Sequence, residues 1–327
     1  MTAATVRLIP GDHTFSVEGE ETILEAALRA GLSVNYGCSN GNCGDCRARV
    51  LEGEVRKIRP HDYVFSEAEK QQAYTLMCSV TPVTDLLLEA GLAEGPEQIP
   101  LQRVSATVRG IEHPDPHVLI LRLQTPRTQR LRFLAGQSVR LDLGGGLSGT
   151  LPLANCPCDD RNLVFHLDAS REDPFTRHCL DQLGKGTSVD IEGPEGDFVL
   201  SEEHPGPLVF LAMDTGFGPV HSLVEHVLAQ ETGEALDLVW VASGERTHYE
   251  DNLCRSWNDA LDGFRYQALR VGTDAQVEAV IRSALPEITD APQRDAFVAG
   301  SETFVRAGLS ALAQIGVQAS RCRSLVL

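Results

Sequence analysis

The chain has 327 residues, 42% of them hydrophobic and 23% charged, with a formal net charge of −18. That length exceeds one small core and predicts about two or three domains of ordinary globular composition. The acidic balance argues against nucleic acid and against an anionic membrane surface. It suits a partner with a basic docking face, although an acidic surface that only maintains solubility carries the same charge. No signal-peptide core follows Met1, and no apolar run reaches membrane-spanning length, so a cytoplasmic protein without a membrane span is expected.

Residues 4 to 17 alternate apolar and polar around Gly11-Asp12, which predicts a hairpin. Thr22-Ile23-Leu24-Glu25 is a capping-box signature opening a short helix, with Gly31 placed to stop it. The loop Tyr36-Gly37-Cys38-Ser39-Asn40-Gly41-Asn42-Cys43-Gly44-Asp45-Cys46 follows, then a strand from Arg47 to Val55. A helix capped by Ser66 with Glu69, then Met77-Cys78 and a strand from Asp85 to Glu89, complete a β-grasp plan.

Three cysteines at x4 and x2 spacing with a distant fourth, Cys38, Cys43, Cys46 and Cys78, form the ligand pattern of a plant-type [2Fe-2S] cluster. Two irons bridged by sulfide need four thiolates, so one tight loop must aim three sulfurs inward. Gly37, Gly41 and Gly44 suit such a loop through positive φ or close backbone approach. Buried cysteines or a zinc site are the competing readings, but zinc ligands usually come as two close pairs. Of the nine cysteines, Cys156, Cys158, Cys179, Cys254 and Cys322 remain, and they are expected as reduced thiols. Cys156-Pro157-Cys158 with no other nearby ligand is weak evidence for a metal.

Ala90 to Gln102 has linker composition. Val104–Val108, Val118–Leu123 and Val139–Leu143 predict an antiparallel barrel. From Pro207 strands alternate with helices: Leu208–Met213 with a helix from Val220, then Leu236–Ala242, Tyr266–Val271 and Ala296–Ala299. This is a parallel nucleotide-binding-type pattern. The fold class expected is α+β and α/β multidomain: a β-grasp domain over 1–90, a linker over 91–102, a six-stranded barrel over 103–204 and an α/β domain over 205–327.

Residues 1–90 are similar to plant-type ferredoxins, including Cys78-Ser79-Val80-Thr81-Pro82-Val83-Thr84-Asp85-Leu86. The whole chain resembles the ferredoxin–NAD(P)H reductase superfamily, and within it the single-chain reductases serving multicomponent oxygenases and deoxysugar-forming enzymes. Phe133-Leu134-Ala135-Gly136-Gln137, Leu153-Ala154-Asn155-Cys156-Pro157, Gly193-Pro194-Glu195-Gly196-Asp197-Phe198, Gly216 with Pro219, and Gly300 carry the match. The resemblance implies hydride transfer from NAD(P)H to FAD, then single electrons through the cluster to a partner.

The cofactor loops depart from that family. Its Arg-x-Tyr-Ser/Thr for FAD is Gly149, Thr150, Leu151 and Pro152 here, and its Gly-Gly-x-x-Ser/Thr is Glu172-Asp173-Pro174-Phe175-Thr176. Thr176 is kept and suits a helix N-cap. The family's Gly-x-Gly-x-x-Pro becomes Asp214-Thr215-Gly216-Phe217-Gly218-Pro219, and its Cys-Gly-Pro-Pro becomes Ala299-Gly300-Ser301-Glu302. The C-terminal Glu-x-aromatic is absent from Cys322-Arg323-Ser324-Leu325-Val326-Leu327. Thr176, Thr215, Gly216, Gly218 and Pro219 are thus the vestigial FAD and NAD positions, and carboxylates near phosphate sites oppose binding.

The expectation is an electron-transfer protein whose cluster reduces a redox partner, an oxygenase or other terminal enzyme. Its reductase-like module has lost conventional FAD and NAD(P)H binding and serves docking or assembly. An external donor must then be strongly reducing, because plant-type clusters lie near about −400 mV. The alternative is an active NAD(P)H-dependent FAD/[2Fe-2S] reductase; a cluster-controlled sensor is a third class. His178, His221, His226 and His248 lack metal-ligand spacing and are expected at the surface or in the core, with His221 and His226 on different helix faces. Trp240 and Trp257 are expected as core aromatics, and Tyr36 as cover for the loop.

Overall fold

The computed structural model describes residues 3–93, 95–200, 206–230, 235–285, 288 and 290–327. The opening alternation pairs β1 (Ala4–Ile9) with β2 (His13–Val17), antiparallel. Thr22 closes its capping box on Glu25 at the start of α1 (Ile23–Arg29), and Gly31 takes φ +74 just past its end. β3 (Arg47–Glu52), β4 (Val55–Lys57), α2 (Glu67–Gln71), β5 (Tyr74–Leu76), β6 (Val80–Pro82) and β7 (Leu86–Glu89) follow. The sheet order is β2-β1-β7-β3-β5, with β4 and β6 as a separate pair. Val6 and Leu8 stand opposite Leu86 and Leu88, and α1 lays Ile23, Leu24 and Leu28 on that core.

The strand expected over 47–55 is two strands. Gly53 turns the chain at φ +90, and a Cβ there would lie 2.2 Å from the Asp85 carbonyl oxygen. The predicted linker also has ordered partners: Ala93 N–H donates to the Ser33 carbonyl and Asn35 N–H to that of Gly91.

β8 (Gln102–Asp115), β9 (Val118–Gln124), β10 (Ser138–Asp142), β11 (Ser148–Pro152), β12 (Asn162–Asp168), α3 (Pro174–Asp181) and β13 (Ser188–Glu195) form the expected antiparallel unit. Its six strands run in the order β11-β10-β13-β8-β9-β12 around a core that includes Val108, Leu121, Phe165 and Ile191.

The last unit comprises β14 (Leu208–Met213), α4 (Phe217–Gln230), β15 (Leu236–Ser243), α5 (Asp251–Ala260), β16 (Phe264–Val271), α6 (Val277–Ala284), β17 (Asp295–Gly300), α7 (Glu302–Gln314) and β18 (Cys322–Val326). The sheet β16-β15-β14-β17-β18 is parallel throughout. Every residue of β14 is buried, which is why it reads as a continuous apolar run rather than an alternation. Helix α4 begins at Phe217 rather than Val220, because a short 3-10 turn over Asp214–Gly216 leads directly into it. Among the described residues no helix is long and apolar enough to cross a membrane.

Candidate cluster site and the cofactor-loop region

The loop between α1 and β3 carries Cys38, Cys43 and Cys46 and meets Cys78, which lies between β5 and β6. The Cys43 thiol lies against Cys38, and the Cys46 thiol donates to Cys78. Among the described residues no three His, Cys, Asp or Glu side chains converge on a single ion, whereas these thiols form two pairs, as two sulfide-bridged irons require. Asn42 and Cys43 N–H donate to Cys38 Sγ at 3.4 and 3.3 Å, and Asp45 N–H donates to Cys43 Sγ at 3.4 Å. Burial pushes the Cys38 thiol up, but the amides of Cys43, Asn40 and Asn42 outweigh it and leave the group below its ordinary value. The Cys78 thiol is lowered, first by the hydrogen bond from Cys46, whose own thiol is raised by donating it. Such donors favour sulfur carrying negative charge, the state a metal ligand needs. Ser39 Oγ is buried in this loop without a protein partner.

Gly41 and Gly44 take φ +82 and +83, whereas Gly37 has no positive φ and serves close approach, with Asp45 Oδ2 2.6 Å from where its Cβ would be. A strap missed in the sequence, residues 58–65, lies over the loop. His61 covers Gly41 and Tyr63 covers Gly44. Ile58 and Arg59 N–H donate to the Ser79 carbonyl, and Tyr63 N–H donates to that of Gly41. Cys38, Cys46 and Cys78 are buried, and Cys43 is exposed. The residues present fit a [2Fe-2S] cluster.

The loops at the flavin-motif positions make contacts within the chain. Asp173, not Thr176, is the N-cap of α3. Its carboxylate accepts from Thr176 N–H at 2.9 Å and Thr176 Oγ1 at 2.8 Å, using donors that a phosphate would need. On β11, Gly149 lies under the Phe175 ring, 2.7 Å from where a Cβ would stand, and Thr150 Oγ1 is 3.5 Å from Glu195 Oε1. Four further predicted cofactor positions, Thr215, Gly216, Gly218 and Pro219, share one buried turn at the start of α4. Gly216 sits against the Ala299 carbonyl and Gly218 against His166. Phe217 stacks on Trp240 at 3.9 Å, Asp214 accepts from Ser243 N–H and Oγ, and Arg246 bonds Asp168 of β12 at 3.0 Å. Burial raises the Asp214 carboxyl above its usual range. The turn is therefore packed against the antiparallel unit on one side and its own aromatic core on the other. At the C-terminus, Leu325 packs against the core of the parallel unit.

A polar junction, invisible in the sequence, ties the first unit to the second. Arg132 is buried, and its Nη1 donates to Asn35 Oδ1 at 2.6 Å and its Nη2 to the Ser33 carbonyl at 3.0 Å. Arg130 N–H donates to the Gly37 carbonyl, and its Nη1 to Asp160 at 2.8 Å. Tyr36 is buried beside Asp160 rather than only capping the loop. Burial pushes the Asp160 carboxyl up to about 6 despite Arg130.

Of the four histidines singled out, His226 is buried and His178, His221 and His248 are half-buried. His221 Nδ1 meets the Ala154 carbonyl and His248 Nε2 the Trp240 carbonyl. His226 Nδ1 lies 3.9 Å from Cys156 Sγ. His221 and His226, five residues apart, nevertheless both reach the 154–156 segment. Trp240 is fully buried and Trp257 half-buried. One expectation is overturned. Cys156 and Cys158 are joined in a disulfide, the turn at Pro157 bringing their Cα atoms to 5.2 Å, within bridging range.

Residues 6–83 match the model of the 2Fe-2S iron-sulfur cluster binding domain. The chain is 26% identical over 306 residues to the CDP-6-deoxy-L-threo-D-glycero-4-hexulose-3-dehydrase reductase of Yersinia pseudotuberculosis, covering 92% of each. It is 27% identical over 265 residues to terephthalate 1,2-dioxygenase reductase component 2 of Comamonas, covering 80% of this chain and 77% of that one. With Protein RfbI of Salmonella typhimurium it shares 30% identity over 275 residues, 83% of this chain and 79% of the relative. In fold it is similar to a cytochrome P450 reductase of Amycolatopsis, with a TM-score of 0.63 and 24% identity over 99% of this chain and 98% of the other.

Proposed function

Because the chain belongs to the single-chain reductases that join a 2Fe-2S ferredoxin domain to a ferredoxin–NAD(P)H reductase-type module, we propose that it delivers single electrons to a partner redox enzyme of the oxygenase kind. Cys38, Cys43, Cys46 and Cys78 hold the cluster. The module no longer takes FAD or NAD(P)H by the family's contacts and serves docking or assembly, with reducing equivalents arriving from an external donor. The observation that carries this reading is the contrast between an intact four-thiol site and an α3 helix start already capped by Asp173.

A cluster bound at these thiols supplies one-electron chemistry. The amides of Asn42, Cys43 and Asp45 stabilise charge on the ligand sulfurs, and the 58–65 strap covers the loop at Gly41 and Gly44. Exposed Cys43 marks the edge nearest a partner, while buried Tyr36 faces the module. The net charge of −18 suits a partner with a basic face, encountered fast and transiently.

A second reading is favoured by relatives that bear the name reductase: an NAD(P)H-dependent flavoprotein that holds FAD through other residues. Iron, sulfide and flavin measured on one purified sample separate the two. Two irons and no flavin are expected; two irons with stoichiometric FAD sink the proposed loss and call for NADH and NADPH titration. Cys43→Ser is expected to abolish the native visible spectrum and partner reduction, and retention of both rejects the ligand assignment.

A further inference from the structure

The disulfide between Cys156 and Cys158 has no place in the reading above. It spans one intervening residue, so it removes little chain entropy from the unfolded state and adds little stability. Its two sulfurs have unlike surroundings. Cys158 is exposed and lines a cleft with Leu28, Tyr36, Arg132 and His226. Cys156 is 3% exposed, and its Sγ accepts from Cys158 N–H at 3.2 Å and faces His226 Nδ1. The Gln230 amide nitrogen stands 3.4 Å from His226 Nε2, so a neutral ring accepting there carries its proton on Nδ1, toward Cys156. Burial holds this imidazole down at about 4, in the neutral form.

We infer that Cys156–Cys158 is a thiol–disulfide exchange site, attacked at Cys158 by a dithiol reductant, and that its reduction loosens the packing of α1 against the 156–158 turn and α4. A thiolate of the dithiol bonds to Cys158 Sγ as the Cys156–Cys158 bond breaks and Cys156 leaves as a thiolate. The Cys158 N–H and His226 N–H stabilise that leaving sulfur. The second thiol of the reductant then attacks the mixed disulfide, releasing Cys158 as a thiolate. The dithiol ends as a disulfide, two electrons poorer, and both cysteine thiolates take up protons. The turn packs against α1 and α4, and Gly31 at the end of α1 meets Gln230 and His226, so a change at the bridge is felt where the ferredoxin unit is seated.

The test uses the cluster-loaded chain. Native protein is blocked with N-ethylmaleimide, treated with dithiothreitol, labelled with an isotopic form of the same reagent, and read peptide by peptide. Cys156 and Cys158 should escape the first label and take the second, Cys158 roughly tenfold faster than Cys156, as its exposure requires. Amide exchange in α1 should rise after reduction. Labelling in the first step, resistance to native reduction, or faster labelling of Cys156 overturns the exchange site, and unchanged exchange in α1 overturns the coupling. C156S should capture glutathione from its disulfide at Cys158 roughly tenfold faster than C158S captures it at Cys156, and equal capture also overturns the assignment. Should either variant lose the cluster absorbance, the wild-type labelling rates decide. Because labels are read by mass at named peptides, bound flavin, which would defeat the proposed function, leaves this result unaffected.

Discussion

A methyl group added at Gly44 would stand 2.2 Å from a ring carbon of Tyr63, on a residue already at φ +83. Gly19 also has positive φ, at +59, but a Cβ there meets nothing within 4 Å. The pair separates backbone strain from steric conflict. Gly19→Ala should cost about 1 kcal/mol, whereas Gly44→Ala should cost about 2–4 kcal/mol and speed loss of the visible absorbance, because the strap must lift. Equal unfolding midpoints for the two variants would falsify the strap's role. Buried titrating groups give a second residue-scale test. His226 titrates near 4 when folded, below the ordinary 6.5, so its contribution is present above 6.5 and fades as pH falls toward 4. Asp160, held up at about 6, works oppositely: its contribution is present below 3.8 and lost as pH rises through 6. Removing Asp160 leaves the His226 slope unopposed. Between about pH 5 and 6.5, denaturation of Asp160→Asn should show stability rising with pH by about 1–2 kcal/mol more than wild type; parallel curves would reject the assignment. The sequence made the glycines legible through their loop, but not the rings that cover them, since His61 and Tyr63 lie in a stretch without periodicity.

At the scale of elements, most of the fold could be read because burial imposes period. β1 and β2 alternate, β14 is apolar throughout, and the capping boxes at Thr22 and Ser66 both formed. β5 and β6 escaped because three residues are too few to establish a pattern. Assigning Thr176 as the α3 cap followed the family's loop and passed over a local signal. Asp173-Pro174 already places a capping carboxylate before proline at the first helical position. Asp173→Ala should therefore destabilise the protein by about 1 kcal/mol. On the proposed loss of FAD, neither it nor the double change Glu172→Gly/Asp173→Gly should give stoichiometric FAD, because Gly149, Leu151 and Pro152 still lack the cation, the ring and the hydroxyl. Equilibrium dialysis with FAD checks this, and one flavin per chain in the double variant would mean that the α3 loop alone had failed.

At the scale of the whole molecule, long-range pairing is where the sequence falls silent. The four thiols were legible because three share one loop; Arg132 and Asn35 are 97 residues apart with no motif between them. Yet that pair joins the ferredoxin unit to the antiparallel unit. Arg132 is buried, burial lowers its guanidinium from the usual value, and its bonds reach Asn35 and the Ser33 carbonyl, in the stretch that leads into Tyr36 and Cys38. The predicted linker reinforces the same place through the Ala93 and Asn35 amides. If this junction couples the units, guanidinium unfolding of the wild type should bleach the cluster and lose far-ultraviolet ellipticity in one transition. Arg132→Leu keeps apolar bulk but removes the guanidinium bonds to Asn35 Oδ1 and to the Ser33 carbonyl, which keeps the Ala93 N–H, a loss of about 1–3 kcal/mol. Bleaching should then shift to lower denaturant than the remaining ellipticity change, splitting the transition, and labelling of Cys158 after dithiothreitol reduction should quicken as the cleft beside it opens. A single transition that moves as one unit would instead place Arg132 in general stability, and the seat of the ferredoxin unit would have to be sought in Arg130, Asp160 and Tyr36.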